Sequence, residues 1–439
     1  MSSVFYRNPQ QDYPRGLRGE GVYLYDTDGR QYLDGSGGAA VSCLGHWHPY
    51  VVAAIKRQVE ELAYAHTAFF TNDPQERLAN HLAARFGEDG VRVYFLSGGS
   101  EANETAIKLV RQYWLAKGRD DKHMVVSRHQ SYHGNTLGAL SLSGSPARRA
   151  IFAPLLHDWP MIAPCYSYRH QLENETDDDY GTRAANALEE AILEHGADNI
   201  AAFVAETVVG ATLGAVPPVG DYLKKIRDIC DRHDVLLILD EIMAGCGRTG
   251  TYFAFEQDDI RPDITTLAKG LGGGYQAIGA TIVRGFIHDT IMEEFGAFAH
   301  GHTYIGHATA CAAAFAVARV VHQDDLLSNV SHIGALLRDE LSTALADHPL
   351  VGDIRGRGLL LGIELVADRD SKAPADPGLA IRIKNAAMQE GLLIYPGSGT
   401  ADGKRGAHIL LAPPFVYEST HVDELVTKLV TVLDRIDDV

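Results

Sequence analysis

Four polar residues in this sequence each follow a short apolar segment, and together they could bind and activate a small molecule. They are Ser97, Glu206, Asp240 and Lys269, after the segments 91–96, 201–205, 235–239 and 264–268. Lys269 is the most informative, because lysine is seldom buried unless its amine is paired or neutral. A neutral amine beside the glycine-rich segment 270–274 could act as nucleophile or base. The alternative is a lysine that extends its amine from a strand end to solvent.

The turn Ser97-Gly98-Gly99-Ser100 predicts an anion site. It joins a predicted strand to a helix that runs from Glu101 to about Trp114. Free N–H groups and the helix dipole converge at such a helix start, where they favour a phosphate or carboxylate. The segment is neither GxGxxG nor a phosphate loop with its own lysine, which argues against nucleotide binding.

Apolar segments alternate with amphipathic helices along most of the chain. Besides the four strands above, a strand is predicted at 124–126, and helices are predicted near 48–63, from 73, at 101–114, 181–195, 221–233 and 308–322. This alternation predicts an α/β protein with a mainly parallel central sheet covered by helices. The C-terminal ends of such strands meet at the ligand-binding edge, which would bring the four polar residues together.

Two regions depart from this alternation. From about Asp324 the sequence predicts a second, smaller α+β domain. The stretch from 131 to about 179, which includes the acidic segment 175–179, is predicted to be looser, with the acidic residues at the surface.

Composition limits the possible partners. The formal net charge of −18 opposes binding to nucleic acid. The five cysteines are scattered without a CxxC pair, and the histidines lack metal-ligand spacing, so we expect reduced thiols and no metal site. No signal peptide or membrane-spanning segment is evident, so we expect no membrane partner and a cytoplasmic location.

An amine, a carboxylate, an anion-binding helix start and a loop aromatic suit a flat cationic ring that carries a phosphate. Pyridoxal 5'-phosphate meets that description. The lysine would form a Schiff base with it, and the carboxylate would keep the ring nitrogen protonated. The helix start would bind the phosphate, and the aromatic side chain would stack on the ring.

Four segments in this order resemble the class III aminotransferases, with the ω-transaminases as the most similar subgroup. They are 97–106 (SGGSEANETA), 131–134 (SYHG), 240–250 (DEIMAGCGRTG) and 267–270 (LAKG). The resemblance extends from about Gly19 to the C-terminus. It implies fold type I, with 1–60 as the N-terminal part of the small domain, 61–323 as the large cofactor-binding domain and 324–439 as the rest of the small domain.

The resemblance also implies roles for individual residues. Lys269 would form the Schiff base and shuttle the proton, and Asp240 would pair with the ring nitrogen. The other implied cofactor contacts are Gly99 and Ser100 at the phosphate, Tyr132 and Met243 on the two ring faces, His133, Glu206, and Thr303 of a neighbouring subunit. A homodimer with shared sites, or a tetramer, is therefore expected. Phe70 and Arg405 are candidates for contacting substrate.

The implied reaction is a ping-pong transfer of an amino group from an amine or amino acid to an α-keto acid, with pyruvate as the family's usual acceptor. The small residues Gly38, Ala39 and Ala40 stand where many ω-transaminases have bulky ones, which implies a roomier or differently lined pocket. A decarboxylase or racemase of the same fold, a nucleotide-dependent oxidoreductase and a non-catalytic cofactor-binding protein are the alternatives.

Overall fold

The computed structural model describes residues 2–437. Its strands are β1 (Gly16–Glu20), β2 (Tyr23–Asp26), β3 (Gln31–Asp34), β4 (Arg92–Leu96), β5 (Met124–Arg128), β6 (Met161–Ile162), β7 (Ile200–Glu206), β8 (Leu236–Asp240), β9 (Ile264–Leu267), β10 (Gly279–Val283), β11 (Val351–Arg357), β12 (Leu360–Asp368), β13 (Ala373–Pro374), β14 (Leu392–Leu393), β15 (Tyr395–Ser398) and β16 (Ala407–Leu411).

The helices are α1 (Gly37–Ala40), α2 (Pro49–Glu61), α3 (Asp73–Phe86), α4 (Gly99–Ala116), α5 (Leu137–Leu142), α6 (Pro146–Arg149), α7 (Ser167–His170), α8 (Asp177–His195), α9 (Tyr222–Arg232), α10 (Gly285–Phe295), α11 (Ala308–Gln323), α12 (Leu326–Ala344), α13 (Leu379–Gln389) and α14 (Ser419–Asp437). Short 3-10 turns occupy Ala150–Leu155, Ala254–Asp258 and Lys269–Leu271. Within residues 2–437, none of these helices is long and apolar enough to cross a bilayer.

A seven-stranded central sheet positions the predicted site. Its order is β4-β10-β9-β8-β7-β5-β6, and the pairs from β9 through β6 are parallel. Every residue of β7 and β8 is buried, because helices cover both faces of the sheet. Glu206 pairs in register with Asp240, and Asp240 with Thr266, so these residues end neighbouring strands side by side. The predicted α/β class with a mainly parallel sheet is confirmed.

Two strands of this sheet, β10 and the two-residue β6, were not predicted. β10 lies between β9 and β4 and runs antiparallel to both. Its sequence, GATIV, is short and begins with small residues just after a glycine-rich loop, so periodicity gives little sign of a strand.

The predicted loose region from 131 to 179 is more ordered than expected. It contains α5, α6, β6 and α7. The acidic segment is part of α8, which begins at Asp177 rather than near Gly181. Thr176 caps that helix by accepting from the Asp179 N–H, while Asp179 accepts from the Thr176 N–H. The acidic residues therefore lie in a first helical turn, where the helix dipole favours negative charge.

Two smaller sheets lie outside the central one. β14 extends β1-β2-β3 by pairing in parallel with β3, so segments from both ends of the chain share a sheet. β11, β12, β16 and β15 form the other sheet. On this basis we propose that 1–60 and 324–439 form the small domain and 61–323 the large one; residues 1 and 438–439 lie outside the described residues.

A buried charge network links the central region to the second small sheet. The Glu364 carboxylate on β12 accepts from Arg355 Nη2 at 2.8 Å, from Arg169 Nη2 at 2.6 Å and from Tyr166 Oη at 2.5 Å. Arg169 and Tyr166 follow β6, whereas Arg355 lies on β11 beside β12. These bonds hold the segment after β6 against the β11–β12 hairpin.

Candidate active site

A cavity of about 450 Å³ lies at the C-terminal ends of the parallel strands. Among the described residues that line it are Ser97, Gly99, Ser100, Tyr132, His133, Glu206, Asp240, Met243 and Lys269. The sheet thus brings together the four strand-end residues and most of the site residues that the sequence predicts.

Lys269 begins the short turn after β9. Its backbone φ of 45° lies in the left-handed region, which is uncommon for a side chain other than glycine. Burial lowers the pKa of its amine to about 8, and the charges of Arg148 and Arg248 add to that effect, while Asp240 and Glu206 oppose it. A substantial fraction of the amine is therefore neutral near pH 8, as a nucleophile or base requires.

Asp240 is held in a fixed orientation at the end of β8. Its Oδ2 accepts from His133 Nδ1 at 2.8 Å and from Asn103 Nδ2 at 2.9 Å, and its Oδ1 accepts from the Ile242 N–H at 3.0 Å. Asn103 also donates to the His133 carbonyl at 2.6 Å and accepts from Thr266 Oγ1 at 3.0 Å. The carboxylate is thus aimed into the cavity by groups from three separate elements.

Glu206 is a second buried carboxyl group beside Asp240. Its Oε2 has no hydrogen-bond partner among the described residues. Burial raises the pKa of Glu206 to about 7, although His133 and Arg128 act against that rise. The nearest charge to this oxygen is Arg128 Nη2, at 3.9 Å, which is too far for a hydrogen bond. A carboxyl oxygen free of hydrogen bonds, on a group that can be neutral or charged near neutral pH, suits contact with a bound polar molecule.

The start of α4 forms one wall of the cavity. Gly98 precedes the helix without a side-chain cap, so the N–H groups of Gly99 and Ser100 have no intrahelical partner. The Ser100 hydroxyl donates to Asn135 Oδ1 at 3.0 Å and accepts from the Asn135 N–H at 3.1 Å. Gly134 approaches this turn closely: its φ is +144°, and a Cβ there would lie 2.6 Å from Ser100 Oγ.

Apolar and aromatic side chains line the walls around these polar groups. Tyr132 is half-buried at the cavity. Met243 packs so closely on Gly210 that a Cβ there would lie 2.2 Å from its Sδ. Ile242 packs on Gly99 in the same way, at 2.7 Å.

Three predicted site residues do not line the cavity of their own chain. Thr303 is exposed, and its carbonyl accepts from Tyr64 Oη at 2.9 Å. Phe70 is 66% exposed. The Arg405 side chain is 69% exposed and paired with Asp402 at 2.7 Å, and Asp402 also accepts from the Arg405 N–H. This local ion pair holds Arg405 away from the cavity.

The sequence analysis assigned no role to several residues around the site. Asn103 is the clearest, since a polar residue on the same helix face as the apolar Ala106 and Val110 could have been recognised as a buried hydrogen-bonding group. Arg148 also escaped notice; its guanidinium carbon lies 4.3 Å from the centroid of the Tyr132 ring. No spacing rule links Arg148 to the strand ends, so only the tertiary structure reveals it.

The residues present fit a flat ring that carries a phosphate. The uncapped start of α4 offers N–H donors, and the Gly134 approach leaves no room for a side chain beside them. The Asp240 carboxylate, the Tyr132 ring and the Lys269 amine line the same cavity. These groups are the ones that the sequence analysis expects around pyridoxal 5'-phosphate.

Comparisons with known proteins agree with this geometry. A family model described as aminotransferase class-III matches residues 9–433. An uncharacterized aminotransferase of Schizosaccharomyces pombe is 42% identical, over 97% of this chain and 94% of its own length. A chloroplastic gamma aminobutyrate transaminase 3 of Solanum lycopersicum is 37% identical, over 94% of this chain and 78% of its own length. The solved ω-transaminase of Pseudomonas jessenii in complex with PMP is 31% identical with a TM-score of 0.92, over 98% of this chain and 96% of that one.

Proposed function

Because this chain belongs to the class III aminotransferases, which use pyridoxal 5'-phosphate, we propose that it transfers an amino group from an amine or amino acid to pyruvate by a ping-pong mechanism. The observation that carries this proposal is the convergence of Lys269 and Asp240 on one cavity at the sheet edge, beside the uncapped start of α4.

In this proposal the chain's own residues hold the cofactor. When bound, pyridoxal 5'-phosphate supplies an electrophilic aldehyde and an electron-accepting ring. Lys269 Nζ would attach it covalently, and Asp240 would hold a proton at the ring nitrogen. Gly99 and Ser100 would bind the phosphate through their N–H groups. The Ser100 hydroxyl, which is bonded to Asn135, keeps that segment against the helix start.

The remaining wall residues orient the ring. Tyr132 stacks on one face, and Met243 closes the opposite side together with Ile242. His133 fixes the orientation of Asp240 through its 2.8 Å hydrogen bond. Glu206 provides a hydrogen-bonding group beside Asp240 through its unpartnered Oε2.

Lys269 then carries the proton. As a free neutral amine, its Nζ would accept a proton from the substrate carbon and hold it for return to a neighbouring carbon. A pKa of about 8 suits this role, because both the neutral and the protonated amine are available near that pH. The apolar wall around the amine excludes water that would compete for the proton.

Thr303 supports a homodimer with shared sites. It is exposed in the single chain, and its carbonyl accepts from Tyr64, whose ring lies 5.7 Å from that of the exposed Tyr304. The exposed rings of Phe69 and Phe70 follow Tyr64 along the chain. An exposed aromatic patch of this kind marks a protein contact surface. In the proposed dimer, Thr303 binds the phosphate of the neighbouring subunit and Phe70 contacts substrate. A fully active monomer in light-scattering and activity measurements would refute the dimer.

We also propose a cytoplasmic location, supported by the five cysteines, all of which are buried and free of disulfides. Fractionation of cells that express the native gene tests this location.

An amine-donor panel with pyruvate as acceptor tests the proposed reaction. We expect alanine to form in an amount equal to the amine consumed, without release of CO₂. Release of CO₂ in step with amine consumption would instead indicate the decarboxylase, and change of stereochemistry without an acceptor would indicate the racemase. If no amine is consumed with any keto acid, the proposed function is wrong.

A further inference from the structure

A second cavity of about 210 Å³ adjoins the first, and Ala211 lines both. The residues that line this side cavity include Gln130, Pro146, Arg148, Thr212, Ser398 and Gly399. None of the described residues along its wall is acidic. The side cavity therefore carries a positive charge beside the reaction site. Transfer of an amino group does not by itself require such a cavity.

Arg148 supplies the charge of the side cavity. Its guanidinium stacks on Tyr132, which lines the main cavity, and within residues 2–437 it forms no ion pair and no hydrogen bond. The neighbouring Arg149, by contrast, donates to the carbonyls of α5 and the following turn, at 2.7 to 3.1 Å. Arg149 therefore anchors α6, while Arg148 is left available beside the site.

Thr212 supplies an independent sign of a ligand. Its side chain is only 9% exposed, and its Oγ1 has no hydrogen-bond partner among the residues described. A buried hydroxyl without a partner is costly, and a ligand that accepts its proton removes that cost. Thr212 and Arg148 line the same side cavity, so one bound group can use both.

We infer that the side cavity binds a carboxylate carried by the substrate at a distance from the reacting carbon, with Arg148 and Thr212 as its two donors. The inference rests on the proposed function and deepens it. Arginine presents several N–H donors in a plane that matches a carboxylate, and the Thr212 hydroxyl donates to the same group. The substrate class is therefore an amino acid or keto acid with a remote carboxylate, rather than a neutral amine.

The position of Arg148 favours it over Arg405 for this role. Both side chains are exposed, but Arg405 pairs with Asp402 at 2.7 Å, whereas no carboxylate among the described residues pairs with Arg148. The charge of Arg148, in contrast, is among the causes that lower the pKa of Lys269, after the larger effect of burial. A carboxylate bound at Arg148 thus lies on the same side of the fold as the reacting amine.

Kinetics with matched donors test the inference. The carboxylate-bearing donor is whichever of γ-aminobutyrate and β-alanine the wild-type holoenzyme uses better, and the neutral donor is n-butylamine, with pyruvate as acceptor. We expect Arg148→Met to raise KM for the carboxylate donor roughly tenfold to hundredfold, with no such rise for n-butylamine. Any change that follows from the loss of the Arg148 charge near Lys269 should alter kcat equally with both donors. Thr212→Val should raise the same KM by a smaller factor, and Arg148→Lys should restore part of the loss.

Binding of n-butyrate, an unreactive carboxylate, gives a readout without turnover. Calorimetry should show weaker n-butyrate binding to Arg148→Met than to wild type, while the surface variant Arg382→Met binds as wild type does. Three results would overturn the inference while leaving the proposed function intact. The first is an equal rise in KM for both donors in Arg148→Met, and the second is a selective rise for the carboxylate donor in Arg405→Met instead. The third is a wild-type enzyme that uses only neutral amines. Failure of the wild type with every donor would refute the proposed function itself.

Discussion

The Nδ1 atom of His133 lies 2.8 Å from Oδ2 of Asp240, and both side chains are buried at the end of β8. The same oxygen accepts from Asn103, so two side chains from different segments hold one carboxylate. These two hydrogen bonds fix the orientation of the Asp240 carboxylate, and with it the direction from which a group in the cavity can donate to it. His133 therefore acts through Asp240.

Replacing His133 tests this positioning role. We expect His133→Ala to weaken cofactor binding roughly tenfold to hundredfold, because a hydrogen bond to a charged group is lost. Spectroscopic titration of the cofactor-free protein measures the affinity. His133→Asn retains a donor near the same place and should recover part of it. Equal affinity in wild type and His133→Ala would show that Asp240 needs no support from this residue.

Glu206 gives a dependence of stability on pH. Its pKa is raised to about 7, so between roughly pH 4.5 and 7 the folded protein binds a proton that the unfolded chain has lost. The contribution of this bound proton to the free energy of unfolding is therefore fully present in acid, and it is lost as the pH rises through 7. We expect cofactor-free Glu206→Gln to exceed the wild type in free energy of unfolding by about 1–3 kcal/mol at pH 8.

That difference should shrink at pH 5, where the Glu206 side chain is neutral in the wild type as well. Denaturant unfolding at the two pH values measures it. A Glu206→Gln difference that is larger at pH 5 than at pH 8 would contradict the assignment of a raised pKa.

The strand-end residues could be predicted from the sequence because apolar segments locate the parallel strands, and parallel strands must end at one edge. That rule found Glu206, Asp240 and Lys269. It could not find Arg148, whose approach to Tyr132 depends on the path of the chain between α5 and α6. The rule also says nothing about Arg405, which lies outside the parallel strands. The presence of Asp402 three residues earlier could have indicated the local ion pair.

Gly134 is expected to be intolerant of a side chain. With φ at +144°, a Cβ would lie 2.6 Å from Ser100 Oγ and 2.8 Å from the Ala139 Cβ. We predict that Gly134→Ala displaces the start of α4 and lowers cofactor affinity roughly tenfold or more. Gly118→Ala is the matched control, because Gly118 also has a positive φ, +66°, but has open space around it. Similar affinities of the two variants would contradict the predicted cradle.

Glu364 is expected to control stability rather than chemistry. Glu364→Gln leaves Arg169 buried without a carboxylate and leaves Arg355 with Asp353 as its one remaining acidic partner among the described residues, which should cost about 3–5 kcal/mol. Denaturant unfolding at pH 7 measures the loss, and Glu20→Gln, which breaks an exposed pair with Arg18, should have little effect.

The pKa of Glu364 is lowered despite burial, by Arg355 and hydrogen bonds from Tyr166 and Arg169. The Glu364→Gln deficit should therefore diminish as the pH falls below about 4. An unchanged stability at pH 7 would refute the role.

A second buried lysine sharpens the assignment of Lys269. Burial also lowers the pKa of Lys122 to about 8, but its Nζ donates to the carbonyls of Ile200 and Asp234 and lies 4.4 Å from the centre of the Trp114 ring. Lys122 is thus fully occupied in holding strands together, whereas Lys269 lines the cavity. A lowered pKa alone does not distinguish the two amines, but their surroundings do.

Reduction of the holoenzyme with borohydride, followed by peptide mapping, tests the role of Lys269 most directly. We predict a single pyridoxyl group, on the peptide that contains Lys269, and none on that peptide in Lys269→Ala. A pyridoxyl group on Lys122 or on any other lysine of the wild type, with Lys269 unmodified, would contradict the assignment.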